Sequence, residues 1–232
     1  MSLKETFFDL LFPHKCIVCE KIIDKSGLCE NCKDKLEPVE DVACFFCGEG
    51  KDFCLCDHFA YRFDGLVSPY YNEGFAQESV YKLKYMSDFR CIDLFSAKMA
   101  ERVETFFGLE NIDVICFVPA NRKTLMKRTF NQTELFAEKI SKIIQKPIDA
   151  TVLKKREFVS TQHELSLTDR FTNVRNAFYT THRIDGKNVL LIDDIKTTGA
   201  SLDECARQLK FAGARKVYCA TALVGRRKKK DD

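Results

Sequence analysis

Two regimes of hydrophobic patterning divide the chain. From Tyr61 onward, short apolar runs alternate with stretches whose apolar positions recur every three to four residues, the pattern of strands alternating with amphipathic helices. Runs 114–119, 189–192 and 217–224 are nearly uninterrupted in apolar character and predict strands buried on both faces. Stretches 75–85, 94–107, 131–144 and 202–211 carry helical periodicity, and Gly213 supplies a stop for the last. This alternation predicts an α/β fold, a parallel sheet with helices on both faces. Residues 1–60 lack such periodicity, and eight of the twelve cysteines fall between Cys16 and Cys56. The expected organisation is therefore a small cysteine-rich module over 1–60 and an α/β domain over 61–232. The module opens with a short amphipathic helix around Phe7, Phe8, Leu10, Leu11 and Phe12, and the domain ends in a basic tail, Arg226 to Lys230.

The run ending at Ile192 continues as Asp193-Asp194-Ile195-Lys196-Thr197-Thr198-Gly199-Ala200-Ser201. This places a hydroxyl-rich turn at a strand-to-helix junction, where ligands of open α/β sheets bind. Free N–H groups at the helix start and the hydroxyls of Thr197, Thr198 and Ser201 suit a phosphate. Gly199 lets the backbone approach closely. Asp193 and Asp194 suit ribose hydroxyls or a hydrated Mg²⁺, which takes one or two carboxylates plus phosphate oxygens. A plain helix cap needs one hydroxyl and no adjacent acids. Over all thirteen positions 189–201 the stretch resembles the phosphoribosyl pyrophosphate (PRPP) motif of type I phosphoribosyltransferases.

The cysteines change the picture next. Cys16-x2-Cys19 and Cys29-x2-Cys32 are two knuckles that bring four thiolates round one zinc, closed to water and therefore structural. Cys44-x2-Cys47 and Cys54-x-Cys56 form a second set with a tighter closing pair and His58 as a substitute ligand. It reads either as a second zinc site or as a redox-active or unmetallated set. The remaining Cys91, Cys116, Cys205 and Cys219 are single and read as small core residues. No run reaches a membrane span and no signal peptide is evident, so the expectation is a cytoplasmic protein with reduced thiols and no membrane insertion.

The net charge of +3 neither demands nor excludes nucleic acid, but the cations cluster. Ala120, Asn121 and Arg122 follow a predicted strand and suit pyrophosphate. Lys127, Arg128, Asn131 and Gln132 lie at the start of a predicted helix, another anion site, with a surface loop and polar cap as the plainer reading. Between Lys154 and Phe178 a polar stretch including Ser160, Thr161, Gln162, His163, Arg170, Asn173 and Arg175 is either a lid over the ligand or an ordinary connection.

The ordered set of N-terminal knuckles, Pro119, Arg128-x-Phe130-Asn131-Gln132, Gln162, Arg170-x-x-Asn173 and the 193–201 motif resembles the ComF/GntX-like competence-protein family over nearly the whole chain. Where that family usually has Arg-Gly-Phe-Asn-Gln, this chain has Thr129 in place of glycine, which restricts the backbone. The resemblance implies a double zinc ribbon on a type I phosphoribosyltransferase fold and a part in handling single-stranded DNA in natural transformation. It also implies cooperation with a competence helicase or translocase and a recombination mediator. In the DNA reading, Lys127, Arg128, Asn131, Gln132, Arg170 and Arg175 contact phosphates. Phe45, Phe46 and Phe53 either stack on bases or pack round the metal. In the alternative, enzymatic reading, Asp193 and Asp194 are the catalytic pair. Mg²⁺-bound PRPP then donates its phosphoribosyl group to a nitrogen acceptor with release of pyrophosphate.

Overall fold

The structure, a computed structural model, describes residues 13–25, 27–40, 44–50, 54, 56, 60–157 and 174–226. The expected N-terminal helix, Phe53, His58, the residues from Ser160 to Asn173 with Arg170 among them, and the tail beyond Arg226 lie outside the described residues. Seven strands are described: β1 (Gly65–Val67), β2 (Tyr70–Tyr71), β3 (Val114–Phe117), β4 (Leu153–Lys155), β5 (Phe178–Thr180), β6 (Asn188–Lys196) and β7 (Lys216–Val224). Five α-helices join them: α1 (Gly74–Met86), α2 (Cys91–Phe107), α3 (Arg122–Arg128), α4 (Gln132–Ile144) and α5 (Ala200–Phe211).

The apolar runs build the main sheet, of order β1-β7-β6-β3 with β2 also on β7, all parallel. Successive side chains of a strand alternate between faces, and β6 shows what that does. Leu190 and Ile192 join Phe95, Met99, Phe136 and Ile140 of α2 and α4 in one core. Val189 and Leu191 join Leu202, Cys205 and Leu209 of α5 in the other. Both faces of the sheet are thus covered by helices, and each fully buried Leu or Ile side chain contributes about 2 kcal/mol. Cys91, Cys116, Cys205 and Cys219 are buried in these layers, as expected of single cysteines.

Three features go beyond the hydrophobic pattern. β6 runs through Lys196, paired with β7 as far as Lys196↔Val224, so Asp193 and Asp194 lie within the strand and not at its tip. The equally long β7 supplies ladder partners that the polar residues alone do not announce. The 120–128 loop contains the short helix α3, capped by Asn121. Lys154 lies in β4, which pairs with β5 as an antiparallel two-stranded ribbon apart from the main sheet.

The cysteine module is stitched to the α/β domain through the backbone. Tyr71 N–H donates to Glu37 O at 3.0 Å, Val39 N–H to Pro69 O at 3.0 Å and Leu66 N–H to Phe45 O at 2.9 Å. Ile17 and Leu36 belong to the same core as α2 and α4. Phe45 packs edge-on against Phe107 at 5.5 Å, so it serves the junction and is not a free platform.

Candidate functional site

The turn from Thr197 to Ser201 closes one side of an open pocket of about 220 Å³ whose other walls include Asp193, Ile195 and Val174. It stands at the carboxyl end of β6 and the start of the 12-residue α5, where the helix dipole favours anions. Gly199 adopts φ 80°, a left-handed conformation that a side chain resists. A Cβ there would also lie 2.9 Å from Tyr61. Thr198 Oγ1 accepts from the Ala200 N–H at 3.3 Å. Tyr61, stacked on Phe63 at 4.6 Å, donates its hydroxyl to Thr198 O at 3.1 Å. Arg62 reaches Asp203 of α5 through its backbone N–H and its guanidinium, both at 2.6 Å. The turn is therefore propped by the segment just before β1, a support with no signature in the sequence.

The two adjacent acids part company because neighbouring strand residues face opposite ways. Asp193 is half-buried and lines the pocket. Burial, and then the neighbouring Asp194 carboxylate, push its carboxyl up to about 8. Asp194 is buried, with its Oδ2 accepting from Gln132 Nε2 at 2.7 Å and lying 2.9 Å from Lys84 Nζ. Its charge is compensated from α1 and α4, which leaves Asp193 as the acid that meets the pocket. Lys84 was not foreseen, because a lysine on an amphipathic helix reads as a solvated residue.

Three sequence expectations need correction. Lys196, expected beside the phosphate, contributes to the pocket wall but buries its ammonium against Glu49 Oε1, both side chains being at most 1% exposed. The aliphatic stem of Lys196 leaves β6 on the side facing the second cysteine set, and a buried ammonium requires an anion there. Asn131 and Gln132, expected on DNA phosphates, are buried. Asn131 Nδ2 and Thr133 Oγ1 donate to Val118 O at 3.4 and 2.7 Å, satisfying the carbonyl just beyond β3, while Gln132 serves Asp194. Asn121 Oδ1 accepts from the Thr124 N–H at 2.7 Å as the cap of α3. Arg122 is exposed, 4.0 Å from Glu157, and Ala120 is half-buried beside them. Lys127 and Arg175 are exposed.

Both cysteine sets form compact sulfur clusters. The Sγ atoms of Cys16, Cys19, Cys29 and Cys32 lie within 4.8 Å of one another, and so do those of Cys44, Cys47, Cys54 and Cys56. Separations of 3.6 Å (Cys19 to Cys29), 3.5 Å (Cys44 to Cys56) and 3.8 Å (Cys47 to Cys54) match the edge of about 3.8 Å of a tetrahedral zinc centre with four sulfur ligands. The second cluster is complete with Cys56. Burial and neighbouring sulfurs raise Cys32 to about 12, and burial raises Cys47 to about 12. Burial also opposes ionisation of Cys16, but the N–H groups of Cys19, Cys29 and Val18 outweigh it and hold the thiol at about 6. Four thiolates in so small a space require a dication, and the two four-cysteine sites support structural zinc.

Two family models divide the chain in the same way. The model of the double zinc ribbon domain matches residues 7–60, and that of the phosphoribosyl transferase domain matches residues 131–232. DNA utilization protein YhgH of Escherichia coli K12 is 32% identical over 114 residues, 48% of this chain and 50% of that protein. The match thus spans about half the length of the YhgH relatives. Competence protein F of Haemophilus influenzae is 24% identical over 222 residues, 89% of this chain and 95% of the relative. Competence protein ComFC of Bacillus subtilis is 24% identical over 196 residues, covering 80% and 79% of the two chains. A purine phosphoribosyltransferase structure from Pyrococcus horikoshii aligns at 19% identity, over 56% of this chain and 70% of that one, with a TM-score of 0.35.

Proposed function

Because the chain belongs to the ComF-like competence-protein family, joining a double zinc ribbon to a type I phosphoribosyltransferase-like fold, we propose that it handles incoming single-stranded DNA in natural transformation and retains a PRPP/Mg²⁺ site. The observation that carries the second half is the convergence of Asp193 and the 197–201 turn on one pocket at the start of α5. There the 5-phosphate sits on the N–H groups and hydroxyls of Thr197, Thr198, Gly199, Ala200 and Ser201. Asp193 faces the ribose and the hydrated Mg²⁺, with Asp194 behind it, and pyrophosphate lies toward Ala120, Asn121 and Arg122. Bound Mg²⁺ supplies charge neutralisation at the pyrophosphate; the chain's own residues bind and orient the sugar.

The names of the relatives, competence and DNA utilization proteins, support the DNA half. So do the exposed cations Arg122, Lys127 and Arg175. A competence helicase or translocase and a recombination mediator are the partners this role calls for, in the cytoplasm. Among the described residues no helix is long and apolar enough to cross a membrane.

The test separates the two halves. Mg²⁺ with PRPP raises the melting temperature of the zinc-loaded protein, and neither does so alone. The Asp193→Asn/Asp194→Asn variant loses that rise yet keeps its affinity for a labelled oligonucleotide. A rise that survives in the variant contradicts the assigned site.

A further inference from the structure

We propose that the face formed by α1, α3 and the turn leading into α4 is a stacking platform for single-stranded nucleic acid. The proposal deepens the DNA half of the reading above and rests on it, but is independent of the sugar-phosphate half. It starts from side chains that the core does not use. Tyr81, Tyr85 and Met86 of α1 are 54%, 62% and 65% exposed, and Phe89 just beyond is 47% exposed. Helix α3 has no buried residue, and its Met126 is 77% exposed. Single exposed apolar residues are ordinary, whereas a contiguous set of them marks a contact surface.

This set is organised. Tyr81 and Tyr85 lie 4.7 Å apart, the Arg128 guanidinium sits 4.8 Å over the Tyr85 ring, and Phe89 meets Phe130 at 5.1 Å. Contacts between rings, and between ring and guanidinium, hold the aromatic faces in place at the surface, so little side-chain freedom remains to be lost on binding. Charge selects the occupant. Arg122, Lys123, Lys127 and Arg128 all lie on the seven-residue α3, which contains no acid. Among the described residues Lys123 and Lys127 make no ion pair. The acids near the rings are already engaged, Glu78 with Lys82 at 2.9 Å and Asp88 with Arg90 at 2.5 Å. A lipid surface would use the cations and leave the ordered rings without a role. A strand of unpaired bases uses both, with phosphates on α3 and bases on the rings. The platform also replaces Phe45, which is held against Phe107.

The face adjoins the acid pair. Arg128 Nη1 donates to Gln132 Oε1 at 3.3 Å, and Gln132 in turn donates to Asp194. For that reason the test leaves Arg128 intact.

Fluorescence anisotropy of a labelled oligo(dT) is measured over a salt series with the full zinc-loaded chain. Tyr85→Ala weakens binding about 10-fold with the salt slope unchanged. Lys123→Glu/Lys127→Glu weakens binding and makes the salt slope shallower by about 1.4, the value for two phosphate contacts on a single strand. Both variants keep the wild-type circular dichroism spectrum and melting temperature, which shows that they are folded. Wild-type oligonucleotide affinity in both variants, or loss only in a Phe46→Ala control, places the strand elsewhere and overturns the platform while leaving the DNA reading standing. A wild-type protein that binds no oligonucleotide overturns both. Substitutions on this face that abolish only the binding of a protein partner overturn the platform alone.

Discussion

Thr129 shows how a single substitution in a motif becomes a physical strain. It caps α3 with φ 63°, a conformation that costs a β-branched residue about 1 kcal/mol relative to glycine. Thr129→Gly is expected to raise stability by about that amount in urea melts, while a loss of stability would mean that its hydroxyl bond to Arg128 O at 2.6 Å matters more. Asp193 gives a pH signature. Its carboxyl is raised to about 8 in the fold, above the value of about 4 of an unfolded chain. Its contribution to stability is therefore full below about pH 4 and lost as the pH rises through about 8. Asp193→Asn mimics the neutral form, so the melting temperature of the variant should gain on that of the wild type between about pH 5 and 9; parallel curves would show that Asp193 titrates normally. The acids, the hydroxyl turn and Gly199 were legible in the sequence because chemistry and spacing coincide there. Lys84, Gln132, Glu49 and Tyr61 acquire their roles from contacts 62 to 147 residues distant in the chain, and no local pattern encodes such meetings.

Among the elements, length decided what could be read. The nine-residue β6 and β7 and the helices α1, α2, α4 and α5 announce themselves by periodicity. β1, β2, β4 and β5 have two or three residues each, too few for a period to show. The seven-residue α3 has no buried stripe to mark it. The cysteine sets were legible because ligand spacing is itself the signal. The second, whose tight Cys54-x-Cys56 pair left the reading open, closes in space as a cluster of four sulfurs. Native mass spectrometry is accordingly expected to find two zinc ions per chain, one for each cluster; a single ion would leave the second set structurally unexplained. Glu49 lies two residues beyond Cys47, within the turn fixed by Cys44 N–H donating to Glu49 O at 2.8 Å. Cys44→Ser/Cys47→Ser should therefore loosen the partner of Lys196 and lower the affinity for PRPP as well as the stability. Breaking a buried pair of this kind costs about 3 kcal/mol, readable in denaturant melts of Glu49→Ala.

At the scale of the whole molecule, the zinc ribbons and the α/β domain form one architecture. The first ribbon reaches the core through Ile17. The second holds Lys196 at the end of β6, one residue before the Thr197–Ser201 turn begins. Tyr61, at the junction of the two parts, props the same turn. The covered sheet presents the pocket lined by Asp193 and the 197–201 turn at the carboxyl end of β6, and the aromatic and basic face of α1 and α3 is linked to the neighbouring Asp194 through Arg128 and Gln132. Calorimetric titration of PRPP with and without Mg²⁺, into the zinc-loaded wild type and Asp193→Asn, decides whether Asp193 and the 197–201 turn hold a sugar phosphate. Saturable binding that requires Mg²⁺ and is lost in the variant is expected. Absence of binding by the folded wild type, or equal binding by Asp193→Asn, would contradict it.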